Sequence, residues 1–335
     1  MEFKKYQTLV VGVIVIILSC TTIWNGNADG QEKKYPIKPI EVIIHFAAGG
    51  PTDVWTRIVA NDLSNELGTP LSIQYKPGAG GMIGASYVAA QKPDGYTLLS
   101  GSFSSLVSAP FLEKESAPYD VFKDFTPIAA CVVAPCMLLS HTSSNLTSLD
   151  AAVKFAKEKP GALNCSTAGV GTTAHIILDV LKMYGVDITP VPAKGGGPAV
   201  TSLLGKHVDL ASVMYNAAVP HIKSGALRIL AATDKMAQEP EVPTFREKGF
   251  PEAEGLGSWQ GFLGPSNLPK PIQDQLTNSI RKVIQMPSIK KALEGAGFTV
   301  VYLGPDELKK KMADDYKSIE KIAKAAGLGK YSKPR

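Results

Sequence analysis

The hydrophobic pattern of the chain alternates short apolar runs with stretches whose apolar positions recur at helical spacing. The first run, Glu41–Phe46, is followed by a stripe that continues to Leu67 and stops at Gly68. Runs of this length predict buried strands, and apolar residues three and four positions apart predict helices packed on them. The pattern therefore predicts an α/β fold in which helices cover both faces of a sheet.

This pattern occurs in two successive modules. The strands predicted in the first module cover residues 41–46, 71–75 and 96–100. The strands predicted in the second module cover residues 162–167, 186–191, 208–213 and 227–232. The tail is predicted to be helical at about residues 270–285, 288–294 and 305–325. Because the tail contains no further strand–helix module, we expect it to pack on the first module.

Two lobes follow from this arrangement. We predict that the first comprises residues 35–139 and 258–330, and the second residues 140–257. The two connections are expected near residues 138–141 and 257–262. Such paired crossings allow hinge closure around a ligand.

Residues that start and stop helices support these assignments. Thr52 or Asp53 is predicted to cap the first helix, Ser148 or Asp150 opens a later one, and Thr172 caps a third. Gly68 is expected to end the first helix.

The apolar run Ile128–Leu139 contains two of the cysteines and is predicted to be a strand. The odd separation of Cys131 and Cys136 would place them on opposite faces of it. Neither a CxxC pair nor a His-rich spacing accompanies them or Cys165. We therefore predict buried free thiols rather than a disulfide or a metal site.

The N-terminal residues 1–30 have the pattern of a secretory signal. Lys4 and Lys5 precede the apolar run Leu9–Leu18, which is too short to span a bilayer as a permanent helix. Two processing routes remain open: acylation of Cys20 after the lipobox-like residues 17–19, or cleavage after residues 28–30. We expect an exported protein in the periplasm, either released or lipid-anchored through Cys20.

Length and charge narrow the function classes. The chain has 335 residues and a formal net charge of +5, and about 300 residues beyond the signal suffice for two domains. The densest basic run, Lys309–Lys311, precedes two acidic residues on the same predicted helix. The basic residues form no stripe, so nucleic-acid binding is not predicted.

The strongest chemical signal is a pair of similar strand–loop–helix elements, one in each half. They are residues 48–53, with the sequence AGGPTD, and residues 166–172, with the sequence STAGVGT. A helix N-terminus offers unpaired N–H groups and a partial positive charge, so it can hold a carboxylate without Lys or Arg. Either loop alone could be an ordinary turn, but one in each lobe favours a ligand site at the carboxyl ends of the strands.

Catalytic and nucleotide-binding alternatives have weaker support. Residues 169–174 satisfy GxGxxA after a strand, and Asp187 lies near the spacing of a ribose-binding acid. Ser104 lies in no GxSxG elbow, and the histidines show no HExxH spacing. Asp53 has no partner for general-base work, so we expect it to cap its helix or hold the loop. His175, in the first turn of its helix, is a candidate for the cleft, with a core or capping role as the alternative. We predict no enzyme, no cofactor and no metal.

Across nearly all of the mature chain, the sequence resembles the periplasmic receptors of tripartite tricarboxylate transporters, also called Bug receptors. In sequence order, the segments that carry the resemblance are residues 46–53, 77–81, 93–99, 124–128, 166–175, 194–199, 227–231, 242–245 and 259–261. The resemblance implies a two-lobed periplasmic-binding-protein fold (Venus flytrap, type II), in which each lobe is a mixed sheet flanked by helices. It also implies a monomer that captures a small carboxylate and passes it to a membrane transporter.

The resemblance also implies which residues hold the ligand. Together with the cleft candidate His175, the predicted ligand-binding residues are Ala48, Gly49, Thr52, Asp53, Ser102, Ser104, Ser166, Gly169, Gly171, Thr172 and His175. Two positions depart from the family pattern: Ala193 stands where Tyr is usual, and Cys136 where Asn is usual. Both can reshape the pocket, so the identity of the carboxylate stays open.

Two other functions remain as alternatives. One is an exported enzyme of similar two-lobed build, NAD-linked or acting on another small molecule. The other is a ligand-sensing partner of a membrane signalling protein, which would share the cleft and differ only on its outer surface.

Overall fold

The computed structural model describes residues 35–112, 117–236, 238–327 and 331. The predicted signal at residues 1–30, with Cys20, lies outside these ranges. Lys38–Arg335 is a compact unit distinct from Met1–Ile37 and contains every element described below. None of the helices in the described ranges is long and apolar enough to cross a membrane.

The described strands and helices alternate as the hydrophobic pattern predicts. The strands are β1 Ile40–Ile44, β2 Leu71–Tyr75, β3 Thr97–Ser102, β4 Phe125–Ala134, β5 Cys136–His141, β6 Asn164–Thr167, β7 Thr189–Pro192, β8 Leu210–Met214, β9 Leu227–Ala232, β10 Ser258–Pro265 and β11 Thr299–Leu303. The α-helices are α1 Pro51–Leu67, α2 Met82–Ala89, α3 Ala109–Leu112, α4 Leu149–Glu158, α5 Thr173–Met183, α6 Gly196–Leu204, α7 Val219–Lys223, α8 Lys270–Ile284, α9 Pro287–Gly295 and α10 Pro305–Ala326. A π-helical turn at Ser104–Ser108 follows β3.

The strands form two mixed sheets with a shared plan. The first has the order β11-β4-β10-β3-β1-β2 and the second β7-β6-β8-β5-β9. Strand β10 is antiparallel to β3 and β4, and β5 is antiparallel to β8 and β9. Along the chain, β5 follows β4 of the first sheet and β10 follows β9 of the second, and β11 is also antiparallel to β4. The chain therefore crosses from the first sheet to the second between β4 and β5 and returns between β9 and β10, and each sheet contains both parallel and antiparallel pairs.

The first crossing between the sheets lies at Pro135, and it corrects the prediction for the apolar run Ile128–Leu139. Cys131 belongs to β4 and Cys136 to β5, so they lie in different sheets rather than on two faces of one strand. Proline has no N–H for a ladder, which suits this position between the two strands. Because both strands are buried, hydrophobicity gave no sign of the break.

All three cysteines in the described ranges are free and buried, as predicted for them. Burial raises the pKa of the Cys136 thiol to about 12, and it also raises the pKa of Cys131 and Cys165. Thiolates are the reactive form of cysteine, so these side chains act as small apolar core residues.

The tail returns to the first sheet through β10 and β11. Strand β11 was not predicted from the sequence. Helix α8 packs beside α1, where Lys282 Nζ lies 2.7 Å from Glu66 Oε1. The chain's first crossing between the sheets lies at Pro135, before the predicted boundary at residue 139.

Helix α1 starts and stops at sharply defined residues. Gly68 ends it in the left-handed conformation, with φ of 67°, as predicted. The start differs from the prediction, because Gly50 is the N-cap and Pro51 the first helical residue. Proline suits this position, since its fixed φ is helical and its missing N–H would have no partner there. Trp55 packs edge-on against Phe262 of β10, with ring centroids 4.9 Å apart, and so holds the helix on the first sheet.

Candidate functional site

A cavity of about 910 Å³ lies between loops that follow strands of the two sheets. From the first-sheet side it is lined by Phe46, Ala47, Ala48, Gly49, Gly50, Pro51, Thr52, Pro77, Gly78, Ala79, Ser102, Ser104 and Gln260. From the second-sheet side it is lined by Ala168, Thr172, Ala174, Lys194, Gly195, Gly196, Gly197, Pro198 and Met214. A cavity of this size accommodates a small organic molecule.

The loop between β1 and α1 contributes the first helix N-terminus to the cavity. Gly49 has φ of 81°, a conformation that favours glycine, and its N–H donates to Asp53 Oδ2 at 2.8 Å. The first N–H groups of a helix have no intrahelical acceptor. With Gly50, Pro51 and Thr52 lining the cavity, this end of α1 directs its partial positive charge toward it.

The loop between β6 and α5 contributes the second helix N-terminus to the cavity. Thr172 is the N-cap residue of α5, as predicted, but its side chain does not cap the helix. Its Oγ1 instead donates to Gly169 O at 2.8 Å within the loop. Ser108 Oγ donates to Gly171 O at 2.9 Å, which ties the π-helical turn of the first lobe to this loop. The hydrogen bond from Ser108 thus fixes the position of the Gly171 carbonyl group.

A third helix N-terminus, that of α6, was not identified from the sequence as part of the site. Gly195, with φ of 118°, precedes the helix, and residues 195–198 all line the cavity. A Cβ at Gly196 would lie 2.9 Å from the Cβ of Ala217, so close packing requires glycine there. No atom lies within 4 Å of a Cβ built at Gly197, which is therefore open toward the cavity.

The charges around the cavity favour an anion. Among the described residues that line it, Lys194 is the one with a charged side chain, and none is acidic. Three helix N-termini add partial positive charge. The arrangement offers N–H donors and one ammonium group to a ligand, which is the chemistry that holds a carboxylate.

Asp53 holds the first loop rather than lining the cavity. Its Oδ2 accepts from Gly49 N–H, and its Oδ1 accepts from Arg57 Nε at 2.7 Å and from the Tyr75 hydroxyl at 2.7 Å. Burial disfavours ionisation, but the hydrogen bonds from Gly49, Tyr75 and Arg57 together hold the pKa of Asp53 below its ordinary value. The expectation that Asp53 caps the helix or holds the loop is thus confirmed for the loop.

We expect Asp53→Asn to lower the unfolding free energy at neutral pH by about 1–2 kcal/mol, because hydrogen bonds to the charged carboxylate are lost. The pKa of Asp53 is lower in the folded state, so its contribution is present above the ordinary value of 3.8 and is lost as the pH falls through the folded-state value. Thermal unfolding of parent and variant at pH 7 and near pH 3 measures this difference. The difference in stability between parent and variant should be smaller near pH 3 than at pH 7. Asp62→Asn, farther along α1, is the matched control, and an equal loss in both variants would contradict the assignment.

The predicted site residues divide into two groups. The structure brings the first group together around the cavity: Ala48, Gly49, Thr52, Ser102, Ser104 and Thr172. The residues of the second group do not line it: Asp53, Ser166, Gly169, Gly171 and His175. Gly169 and Gly171, with φ of 140° and 75°, shape the second loop. Ser166 is buried, and neither its Oγ nor His175 Nδ1 has a hydrogen-bond partner among the described residues. Burial lowers the pKa of His175.

Several lining residues were not predicted. Residues 77–79 and 194–198 belong to segments that carried the family resemblance, and their glycines were the available signal. Gln260 also belongs to one of these segments, residues 259–261, whereas Met214 gave no such signal because it lies in a buried strand. Asp187, the acid weighed for ribose binding, is paired with Lys182 at 3.1 Å and does not line the cavity.

Comparisons with known proteins find relatives that match nearly the whole chain. The sequence model described as "Tripartite tricarboxylate transporter family receptor" matches residues 55–328. Protein BugT of Bordetella pertussis is 33% identical over 324 residues, which cover 96% of this chain and 98% of that protein.

Solved structures with the same fold include receptors with bound acids. R. palustris Rpa4515 with adipate superposes with a TM-score of 0.80 at 29% identity, covering 88% of this chain and 99% of that one. MatC from Rhodopseudomonas palustris with bound malate superposes with a TM-score of 0.76 at 28% identity, covering 86% and 99%. These neighbours share the two-lobed periplasmic-binding-protein architecture.

Proposed function

Because the chain belongs to the family of tripartite tricarboxylate transporter receptors, we propose that the cavity between its two sheets is where it captures a small organic carboxylate. The protein is a carboxylate-binding receptor and not an enzyme, as its family and its structural neighbours are receptors. Its place is the periplasm, where it delivers the bound acid to a membrane transporter. Export by residues 1–30 is part of this proposal.

The observation that carries the proposal is the convergence of three helix N-termini and Lys194 on one cavity, whose described lining contains no acidic residue. In this proposal the N-termini of α1 and α5 hold one carboxylate between the lobes, with Ala48, Gly49, Thr52 and Thr172 as its nearest partners. Backbone donors and helix dipoles stabilise an anion in a partly desolvated site. Closure of the lobes would then trap the ligand.

In the second loop, residues that do not line the cavity contribute to the site by shaping the backbone. Ser166, Gly169 and Gly171 would set the path of the backbone that offers its N–H groups, and Asp53 does the same for the first loop. His175 lies within the first turn of α5 and would influence the same N-terminus. With the first boundary moved from residue 139 to the crossing at Pro135, the lobes are proposed as residues 35–135 with 258–330, and residues 136–257, moving about the connections between the sheets.

A thermal-shift screen of the mature chain against mono-, di- and tricarboxylates tests the proposal, with NAD and neutral sugars included. A ligand at a hundred times its Kd adds about 2.7 kcal/mol of stability, which raises Tm by several degrees. We expect shifts with acids alone. A shift with NAD but with no acid would contradict the receptor proposal. Mass spectrometry of the denatured protein identifies any acid that remained bound through purification.

A further inference from the structure

A buried histidine lies directly behind one cavity-lining serine. His45, at the end of β1, is fully buried, and its Nε2 lies 3.0 Å from Ser102 Oγ. Its Nδ1 lies 2.7 Å from the backbone oxygen of Ser100. Ser102 itself lines the cavity and is 2% exposed. The orientation of the Ser102 hydroxyl therefore depends on the protonation of this imidazole.

The proton positions follow from the partners. A backbone carbonyl can only accept, so His45 Nδ1 carries the hydrogen. Burial lowers the pKa of His45 to about 4, against the weaker opposing effect of the bond to Ser100, so the ring is neutral near pH 7. Nε2 then holds a lone pair, and the Ser102 hydroxyl donates to it. Ser102 presents only acceptor lone pairs to the cavity.

Neighbouring hydrogen bonds hold the Ser100 segment in place. Thr56 Oγ1 donates to Thr52 O at 2.6 Å, so Ser100 Oγ is the donor in its 2.7 Å contact with Thr56 Oγ1. All of these side chains are buried. This series of hydrogen bonds runs from the first turn of α1 through β3 to His45. The fold therefore fixes the direction in which the Ser102 hydroxyl donates.

A second acceptor lies beside Ser102. Gln260 of β10 is directly opposite Ser102 of β3 in the antiparallel pair, so both side chains lie on the same face of the sheet. Gln260 also lines the cavity and is 2% exposed, and its Oε1 is buried without a hydrogen-bond partner among the described residues. We call these two residues the cavity floor. The floor is suited to a ligand group that donates hydrogen bonds.

The charge of the cavity lining decides whether the ligand donor is an ammonium group or a hydroxyl group. A ligand ammonium group would need a nearby carboxylate to offset its desolvation, and the described lining contains none. A hydroxyl group donates a hydrogen bond without carrying charge. A plain hydrocarbon segment would leave both acceptors unpaired unless water filled the space.

We propose that this receptor selects a hydroxy-substituted carboxylate, whose hydroxyl donates to Ser102 Oγ beside Gln260. The inference rests on the proposed function, because the carboxylate itself is held at the helix N-termini. Ser102 with His45 behind it is then the specificity-determining pair. His45 acts through Ser102 and is a positioning residue.

Matched pairs of acids test this by isothermal titration calorimetry at pH 7: succinate with malate, glutarate with 2-hydroxyglutarate, and aspartate as the ammonium counterpart of malate. We expect the hydroxy acid of at least one pair to bind about tenfold tighter or more, since its hydrogen bond satisfies a buried acceptor. Aspartate should bind more weakly than malate.

Variants test whether the preference for hydroxy acids comes from the cavity floor or from a general change in the loop. Ser102→Ala should bring the two members of the pair to within about twofold of each other by removing the acceptor. His45→Phe leaves the Ser102 hydroxyl free to donate and should also reduce the preference. Ser105→Ala is the matched control, because Ser105 is buried and lies outside the cavity lining, so the preference should persist.

Equal affinity of parent for both members of every pair, with binding still measurable, would overturn the inference and leave the receptor function intact. A hydroxyl preference that persists in Ser102→Ala would overturn it as well, and so would tighter binding of aspartate than of malate. Failure of the broader screen to find any carboxylate ligand would instead contradict the proposed function itself.

Discussion

A Gly197→Asp variant is expected to fold like the parent chain and to bind carboxylates about 30–100-fold more weakly. Gly197 lies at the N-terminus of α6 and lines the cavity. The expected loss reflects the new negative charge facing an anionic ligand.

The fold should tolerate this change because the position has space and suitable backbone geometry. No atom lies within 4 Å of a Cβ built at Gly197, and its φ is not in the left-handed region. An aspartate in the first turn of a helix also interacts favourably with the helix dipole, by about 0.3–1 kcal/mol. We therefore expect the Tm of the ligand-free variant to equal or slightly exceed that of the parent.

The expected size of the binding loss comes from Coulomb repulsion. Two unit negative charges about 5 Å apart, at an effective dielectric constant of about 20, repel by about 3 kcal/mol. The new side chain can turn partly toward solvent because Gly197 is exposed. The repulsion energy corresponds to a loss of about 150-fold, and because the side chain can turn toward solvent we expect a smaller loss of about 30–100-fold.

Titration calorimetry with the tightest acid from the screen measures the effect. Gly197→Asn is the matched control, since it has the same shape without the charge, and it should lose less than about threefold. Equal losses in both variants would attribute the effect to shape. Unchanged affinity in Gly197→Asp would place the carboxylate away from α6.

Gly261→Ala is expected to lower the unfolding free energy by about 3 kcal/mol or more, near the upper end of overpacking effects. Gly261 lies in β10, between β3 and β4. A Cβ there would lie 2.1 Å from the backbone oxygen of Ala129 and 2.7 Å from the Cα of Ala130. Both atoms are backbone of a central strand, so neither can move without disturbing the sheet.

Gly264→Ala in the same strand is the matched control. The nearest atom to its Cβ is a methyl carbon of Leu268 at 3.4 Å, which is ordinary contact with a flexible side chain. We expect a change within about 1 kcal/mol, typical of a tolerated substitution. Urea unfolding of both variants measures the contrast. Similar stabilities would show that the strand can shift locally to admit the methyl group, contrary to the expectation for a central strand.

Local sequence signals predicted the ends of helices well where a single residue makes the capping interaction. Ser148 caps α4 by accepting from Ala151 N–H at 3.1 Å, and Gly68 ends α1 in the left-handed conformation. These outcomes depend on side chains within a few residues of each other. Thr172 shows the limit of such reasoning, because its hydroxyl donates to Gly169 O instead of capping α5.

Elements that depend on distant partners were harder to predict. The hydrophobicity of the run across Pro135 did not separate its two strands, because both are buried and a continuous apolar pattern results in either case. Pro135 itself was the available signal for the break. Strand β11, at Thr299–Leu303, is half-buried along its length and pairs with β4, far away in sequence. Its residues lack the strict alternation that marks a strand locally.

By itself, the sequence determined the α/β class, the two modules, the family and the two glycine-containing loops, because each depends on a local pattern or on ordered motifs along the chain. Only the tertiary structure showed that α6 joins α1 and α5 at one cavity, and it decided that Asp53 holds its loop rather than capping the helix. It also placed His45 behind Ser102, and Gln260 opposite it. Ser102 and Gln260 meet because β10 returns to the first sheet and pairs with β3, and the pairing of strands so far apart in sequence is decided by packing and hydrogen bonding across the whole fold.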